Sequence, residues 1–156
     1  MDHNSHKAAI ERDEADLARL PLDARTLIDV ANRLIVQSPA PLAVKVVLGQ
    51  RVVAYLADAG TAGDNAAFLD MKINTVMGCG HSSLWWFHHL RSTGRTLADV
   101  IWADPRRVTD LGGAVPLFHA GQVVGAIAVS GLPHEDDHAL IMRVVRQALD
   151  AMGGEV

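Results

Sequence analysis

A chain of 156 residues with a formal net charge of -4 and interspersed acidic and basic side chains has the length of one domain. It offers no electrostatic reason to bind nucleic acid or an anionic membrane surface. Its one cysteine, Cys79, excludes an intramolecular disulfide and a cysteine zinc cluster, the opening MDHNSHKAAIERDE is too polar for a secretory signal, and no apolar run approaches the ~18 residues of a membrane span, so the expectation is a soluble cytoplasmic protein.

In chain order, residues 1–21 read as a polar N-terminal arm, mildly helical from Lys7 to Leu20 and either frayed or packed on a partner. Residues 22–156 read as a single domain without internal repeats or linkers. DARTLIDVANRLIVQS sets Leu27, Val30, Ala31 and Leu34 at helical spacing, with Asp23 as N-cap and Pro39 as stop. Leu42 to Leu48 and Arg51 to Ala57 flank Gly49-Gln50, a pair suited to a tight hairpin turn. A helix is expected over Gly63 to Met77, offering Ala67, Phe68, Met71, Ile73 and Val76 to a core and ending at Gly78-Cys79-Gly80. Ser82 or Ser83 caps the next helix, which carries Leu84, Trp85, Phe87 and Leu90. Consecutive tryptophans, Trp85 and Trp86, cannot both face one core, so one of them is predicted to lie on a subunit contact of a homo-oligomer, a dimer or larger.

Ala114 to His119 and Gln122 to Ser130 form a second hairpin around Ala120-Gly121. The strand QVVGAIAVS is apolar on both faces, which fits a central position, with Gly125 marking close packing or a bulge. Pro133 followed by Glu135, Asp136 and Asp137 opens a last helix running to about Met152. The resulting class is α+β, in the order α-β-β-α-α-β-β-α.

Three constellations bear on chemistry. His134-Glu135-Asp136-Asp137-His138 satisfies the H-E-x-x-H zinc-peptidase pattern, but it sits in a first helical turn and has no candidate third ligand, so that reading is disfavoured and no metal site is assigned. His81-Ser82-Ser83 has a hydrolase's residue types without the G-x-S-x-G context; at a helix N-terminus the same residues suit a small anionic ligand, a carboxylate or phosphate. Cys79, His81, His119 and the Met residues can each ligate haem iron, although no C-x-x-C-H motif is present.

Lys72-Ile73-Asn74-Thr75-Val76, Gly80-His81-Ser82-Ser83, Gly112-Gly113 with Pro116-Leu117, and Gly125 to Pro133 with Asp136-Asp137-His138-Ala139-Leu140 resemble the HbpS-like family, more closely its branch of small cytosolic proteins labelled haem-degrading domain. The resemblance covers about residues 22–150. It implies a profilin-like antiparallel sheet with helices packed on it, homo-oligomeric assembly, and haem binding or degradation, with haem the candidate cofactor. The ligand-binding set it points to is Lys72, Asn74, His81, Ser82, Ser83, Gly113, Ser130, Gly131, Asp137 and His138, with His81 or His138 as an axial iron contact. The GHSS and Asp137-His138 segments are expected to approach one another; no catalytic residue is assigned. This chain departs from the branch at Trp85-Trp86-Phe87-His88-His89, where single or smaller aromatics are usual. The alternative is a non-enzymatic interaction module presenting the Trp85/Trp86 face.

Overall fold

Two hairpins lie side by side because Gly49 and Gly121, at φ 59° and 76°, reverse the chain where side chains are disfavoured. The computed structural model describes residues 2–153. Its elements are α1 (His3–Leu17), α2 (Ala24–Gln37), β1 (Ala43–Leu48), β2 (Arg51–Ala57), α3 (Gly63–Cys79), α4 (Ser83–Ser92), β3 (Ala114–His119), β4 (Gln122–Ser130) and α5 (His134–Gly153), with a short 3-10 turn at Leu97–Asp99. The four strands form one antiparallel sheet in the order β2-β1-β4-β3, so the fold is α+β. β4 is central, as its two apolar faces predict.

Residue size assigns the faces of β4. Ile127 and Val129 join a core with Leu27, Val30 and Leu34 of α2 and Ile141 and Val145 of α5. Ala126 and Ala128 point the other way and pack with Leu69, Ile73 and Val76 of α3. This is the two-residue period of a strand buried on both sides, and small alanines on one face let α3 lie close. At Gly125 the approach is closer still: a Cβ would fall 2.1 Å from the Val47 carbonyl oxygen of β1. Beside it the ladder slips by one residue, Leu117 pairing with Gly125 and Phe118 with Val123. The Val124 carbonyl, displaced by this bulge, accepts the Gly49 N–H at 2.7 Å.

One expectation needs correction. The N-terminal segment is not frayed: α1 is capped by Asp2, whose carboxylate accepts from the Ser5 N–H at 2.7 Å, and it docks on α4 with Ile10, Glu14 and Leu17 buried. Its apolar positions are sparse because most of its contacts are polar. Within one protomer the two tryptophans also face different surfaces. Trp86 is 6% exposed and packs with Leu90 and Val100, while Trp85 faces α1, stacking on His81 and His89 and donating its indole N–H to Glu11 at 3.1 Å. The second surface that Trp85 requires is therefore the chain's own first helix. The exposed tryptophan is Trp102, 41% accessible, beside the fully exposed Ile101.

Candidate functional site

The motif residues meet around the segment Gly112–Ala114. Lys72, on α3, is 3% exposed, and its ammonium donates to the Val129 carbonyl (2.8 Å) and to Asp137 Oδ2 (3.0 Å). Asp137, in the first turn of α5, accepts the Leu132 N–H on its other oxygen (3.1 Å). Gly113 lies against both charges at φ 121°; a Cβ there would come within 2.7 Å of Lys72 Nζ. The glycine is required twice, for its backbone and for the space. Desolvation outweighs the attraction within the pair, lowering the Lys72 pKa and pushing the Asp137 carboxyl up to about 6. On either side, Ser83 Oγ accepts the Ala114 N–H (3.0 Å) and His134 Nδ1 accepts the Gly112 N–H (2.9 Å).

A cavity of ≈ 340 Å³ opens beside this node. Phe68, Leu111 and Leu132 supply apolar wall; Lys72, Asp137, Asn65, Ser130, Gly131 and His134 supply polar groups, with Asp64 also on the lining. Asn65 Nδ2 donates to Ser130 Oγ at 3.1 Å, tying α3 to the end of β4. Burial is the main cause of a lowered His134 pKa, so the ring enters neutral. With Nδ1 accepting from Gly112, the neutral ring carries its proton on Nε2 and acts there as a donor.

The remaining motif groups lie under α1. Glu14 accepts from His81 Nδ1 (2.6 Å), the Ser82 N–H (2.8 Å) and the Ser82 hydroxyl (3.0 Å). The preceding residue, Asp13, accepts from His138 Nε2 (2.9 Å) and from Arg146. GHSS and Asp137-His138 are thus brought together inside one protomer through consecutive acids of α1. Among the described residues His138 Nδ1 is buried without a partner, which costs about 1–3 kcal/mol for a polar group of this kind.

Of the ten candidate residues, Lys72, Ser130, Gly131 and Asp137 line the cavity, Gly113 and Ser83 support it, and His81, Ser82 and His138 are held by α1. Asn74 stands apart, donating to the Arg107 carbonyl at an exposed position. Burial pushes the Cys79 thiol up to about 12, which disfavours its free thiolate. The two histidines of H-E-x-x-H engage different partners, His134 with Gly112 and His138 with Asp13. Asn65, Phe68, His134, Asp13 and Glu14 were not candidates. Only His134 carried a local signal, its place beside Pro133, and that signal had been absorbed by the zinc pattern.

The α1–α4 seam holds a second titratable group. His88 is buried, its Nδ1 is 2.8 Å from that of His3, and its ring stacks on His6 with centroids 4.3 Å apart. Burial first, then His6, His3, Arg91 and His134, lower its pKa from 6.5 to about 4. A base with a depressed folded pKa stabilises fully above pH 6.5 and loses that contribution as pH falls toward about 4. Urea unfolding is expected to show stability declining across that window, with a flatter profile for His88→Gln; parallel profiles would assign the decline to other groups.

Comparison with known proteins agrees with this architecture. A family model described as Haem degrading protein HbpS-like matches residues 21–146. A UPF0303 protein of Streptomyces avermitilis is 34% identical over 122 residues, covering 78% of this chain and 72% of the relative. One from Streptomyces coelicolor is 32% identical over 134 residues, covering 85% and 82%. Among solved structures, Ybr137w protein superimposes with a TM-score of 0.80 at 18% identity, over 94% of this chain and 89% of that one. A PduOC:Heme complex gives 0.65 at 18%, over 81% and 94%, and HbpS gives 0.63 at 20%, over 82% and 89%. At these identities the likeness is one of fold.

Proposed function

This chain belongs to the HbpS-like family, and from that footing we propose that it is a small-ligand-binding protein whose ligand occupies the cavity between α3, the end of β4 and the start of α5. The observation that supports this reading is the convergence of Lys72, Ser130, Gly131 and Asp137 on one concave surface, around a buried pair whose titration is displaced in both members. Its volume is at the small end of the usual range of about 300–1,000 Å³, which suits a compact molecule. Neutral donors at His134 and Asn65 and the apolar wall at Phe68 favour a ligand with an acceptor group on an apolar body.

Haem is the second reading, supported by the family description and by a specific feature of His81. The Glu14 carboxylate takes the Nδ1–H of that ring, and Nε2 engages no protein group among the described residues, which is the form in which an imidazole ligates a metal with a carboxylate behind it. His138 fits less well, its Nε2 being held by Asp13 and its Nδ1 enclosed. His81 would hold the iron of a bound haem through its free ring nitrogen, Glu14 would orient that ring, and the haem would supply the iron chemistry. Against the alternative of a non-enzymatic module presenting Trp85 and Trp86 stand the contact of Trp85 with Glu11 of α1 and the burial of Trp86. Homo-oligomeric assembly and a cytoplasmic location remain parts of the proposal; no helix among the described residues is long and apolar enough to cross a membrane.

Visible-absorption titration with haem separates the readings. If haem is the ligand, a saturable Soret shift is expected in the wild type, at least about tenfold weaker in His81→Ala. The same affinity in both proteins would remove His81, and no binding at micromolar haem would remove haem. For the cavity, compact acids and amides are screened by thermal shift against wild type and Phe68→Trp, whose larger ring fills the space. Stabilisation that survives Phe68→Trp would place the ligand elsewhere, and no stabilisation by any compound would count against the cavity reading.

A further inference from the structure

The Lys72 side chain is buried from water and is nevertheless part of the wall of the α3–β4–α5 cavity. An ammonium carries three N–H groups, and among the described residues only the Val129 carbonyl and Asp137 Oδ2 accept from this one, at 2.8 and 3.0 Å. One donor is left over. Gly113 keeps a flank of Nζ clear, since a Cβ there would lie only 2.7 Å away. Burial lowers the Lys72 pKa and pushes Asp137 up to about 6, so passing one proton from ammonium to carboxylate removes two desolvated charges at once. The result is a neutral amine, a nucleophile, hydrogen-bonded to a carboxylic acid.

The rest of the wall suits an uncharged oxygen acceptor. His134 lines the cavity one turn before Asp137 on the same helix, and its neutral ring donates through Nε2. Ser130 accepts from Asn65 and keeps its hydroxyl proton to give, while Asn65 has a second amide proton beyond the one it uses on Ser130. Phe68, Leu111 and Leu132 supply the apolar remainder. A tie between α3 and α5 alone would be served as well by packed apolar residues, and it leaves the surrounding neutral donors without a role.

We propose that the cavity takes small ketones or aldehydes and that Lys72 captures them as an imine, with Asp137 moving the proton; the proposal rests on the cavity reading above and names its ligand class. Nζ bonds to the carbonyl carbon as the π bond opens, and the oxygen takes the Asp137 proton, giving a carbinolamine. Asp137 then removes a proton from nitrogen and gives it to the hydroxyl, the carbon–oxygen bond breaks, and water leaves. A protonated imine now faces the Asp137 carboxylate in place of the ammonium, so the ion pair is restored. Carbonyl plus ammonium become protonated imine plus water, with no change of oxidation state and no co-reactant.

The test uses the full chain, butanone as the probe and sodium cyanoborohydride to reduce any imine to a stable secondary amine, read by peptide mass mapping. In the folded protein at pH 7, alkylation of Lys72 is expected to be at least about tenfold faster than that of the other lysines, Lys7 and Lys45, a small part of what proximity supplies. In urea all three are expected to react alike. Asp137→Asn is expected to slow Lys72 at least about a hundredfold, the scale of general acid–base help. Phe68→Trp, which fills the cavity, is expected to slow it as well. Lys72 no faster than Lys7 and Lys45 in the folded wild type, or reacting at the wild-type rate in either variant, would overturn the proposal. Thermal shift with butanone alone separates this from the cavity reading: stabilisation that Phe68→Trp abolishes, with Lys72 unlabelled, rejects the imine and keeps the cavity. If Asp137→Asn does not fold, the wild type and Phe68→Trp decide.

Discussion

Asp137→Ala is expected to destabilise the protein by about 3–5 kcal/mol, the range for removing one partner of a buried ion pair. The loss is large because the change strands what remains. The Lys72 ammonium, 3% exposed, keeps only the Val129 carbonyl, and the Leu132 N–H loses its acceptor just where α5 begins. Removing the other partner is expected to cost less. In Lys72→Met the carboxyl at Asp137, already pushed up to about 6, can take a proton and keep a bond to the Leu132 N–H. Urea unfolding at pH 7 checks the order; equal losses in the two variants would show that the volume of the side chains, and not their charge, holds α3 to α5. The double variant Lys72→Met/Asp137→Leu should recover much of the stability, since a well-packed apolar pair avoids desolvating two ions.

Gly125→Ala is expected to cost about 3 kcal/mol or more and to reduce the soluble yield, placing it at the upper end of overpacking changes. A glycine-to-alanine change at a compatible site normally stabilises by about 0.4–1 kcal/mol through the unfolded chain, so the sign itself is diagnostic. The new methyl would lie 2.1 Å from the Val47 carbonyl oxygen, and that obstacle is backbone in the neighbouring strand. Relief requires β1 and β4 to separate, which disturbs the pairing of Leu48 with Gly125 and the contact from Gly49 to Val124. Equilibrium denaturation measures it directly; stability unchanged from the wild type would mean that the two strands can part by more than an ångström at little cost.

The elements that could be read from sequence are those whose signals are local. Arg51 to Ala57 was placed to the residue, because Gly49-Gln50 fixes where the strand begins and Asp58 where it ends. The burial of β4 followed from QVVGAIAVS having no polar face. By contrast α1 looked loose, since a helix with Ile10 and Leu17 as its main buried apolar groups has little amphipathic pattern, and the groups it binds lie far along the chain. One of the two adjacent tryptophans was expected on a second surface, and within the protomer that surface for Trp85 is α1, which the spacing of the pair alone does not reveal. At the site, Lys72 and Asp137 were legible through motif resemblance. Asn65 and Phe68 were not, because a pocket wall depends on which turn of α3 faces the end of β4, a property of packing rather than of spacing.

Helix α1 also sets an order on synthesis. It is made before the groups it binds: the donors to Glu14 come 67 and 68 residues later, and those to Asp13 come 125 and 133 residues later. At about 5–20 residues per second, Asp13 waits on the order of ten seconds for His138 to be added. During that interval both hairpins and α2 can assemble while the acids of α1 remain in water, where they carry no penalty for lacking partners. The Asp13 side of α1 therefore gains its partners only once α5 is being made.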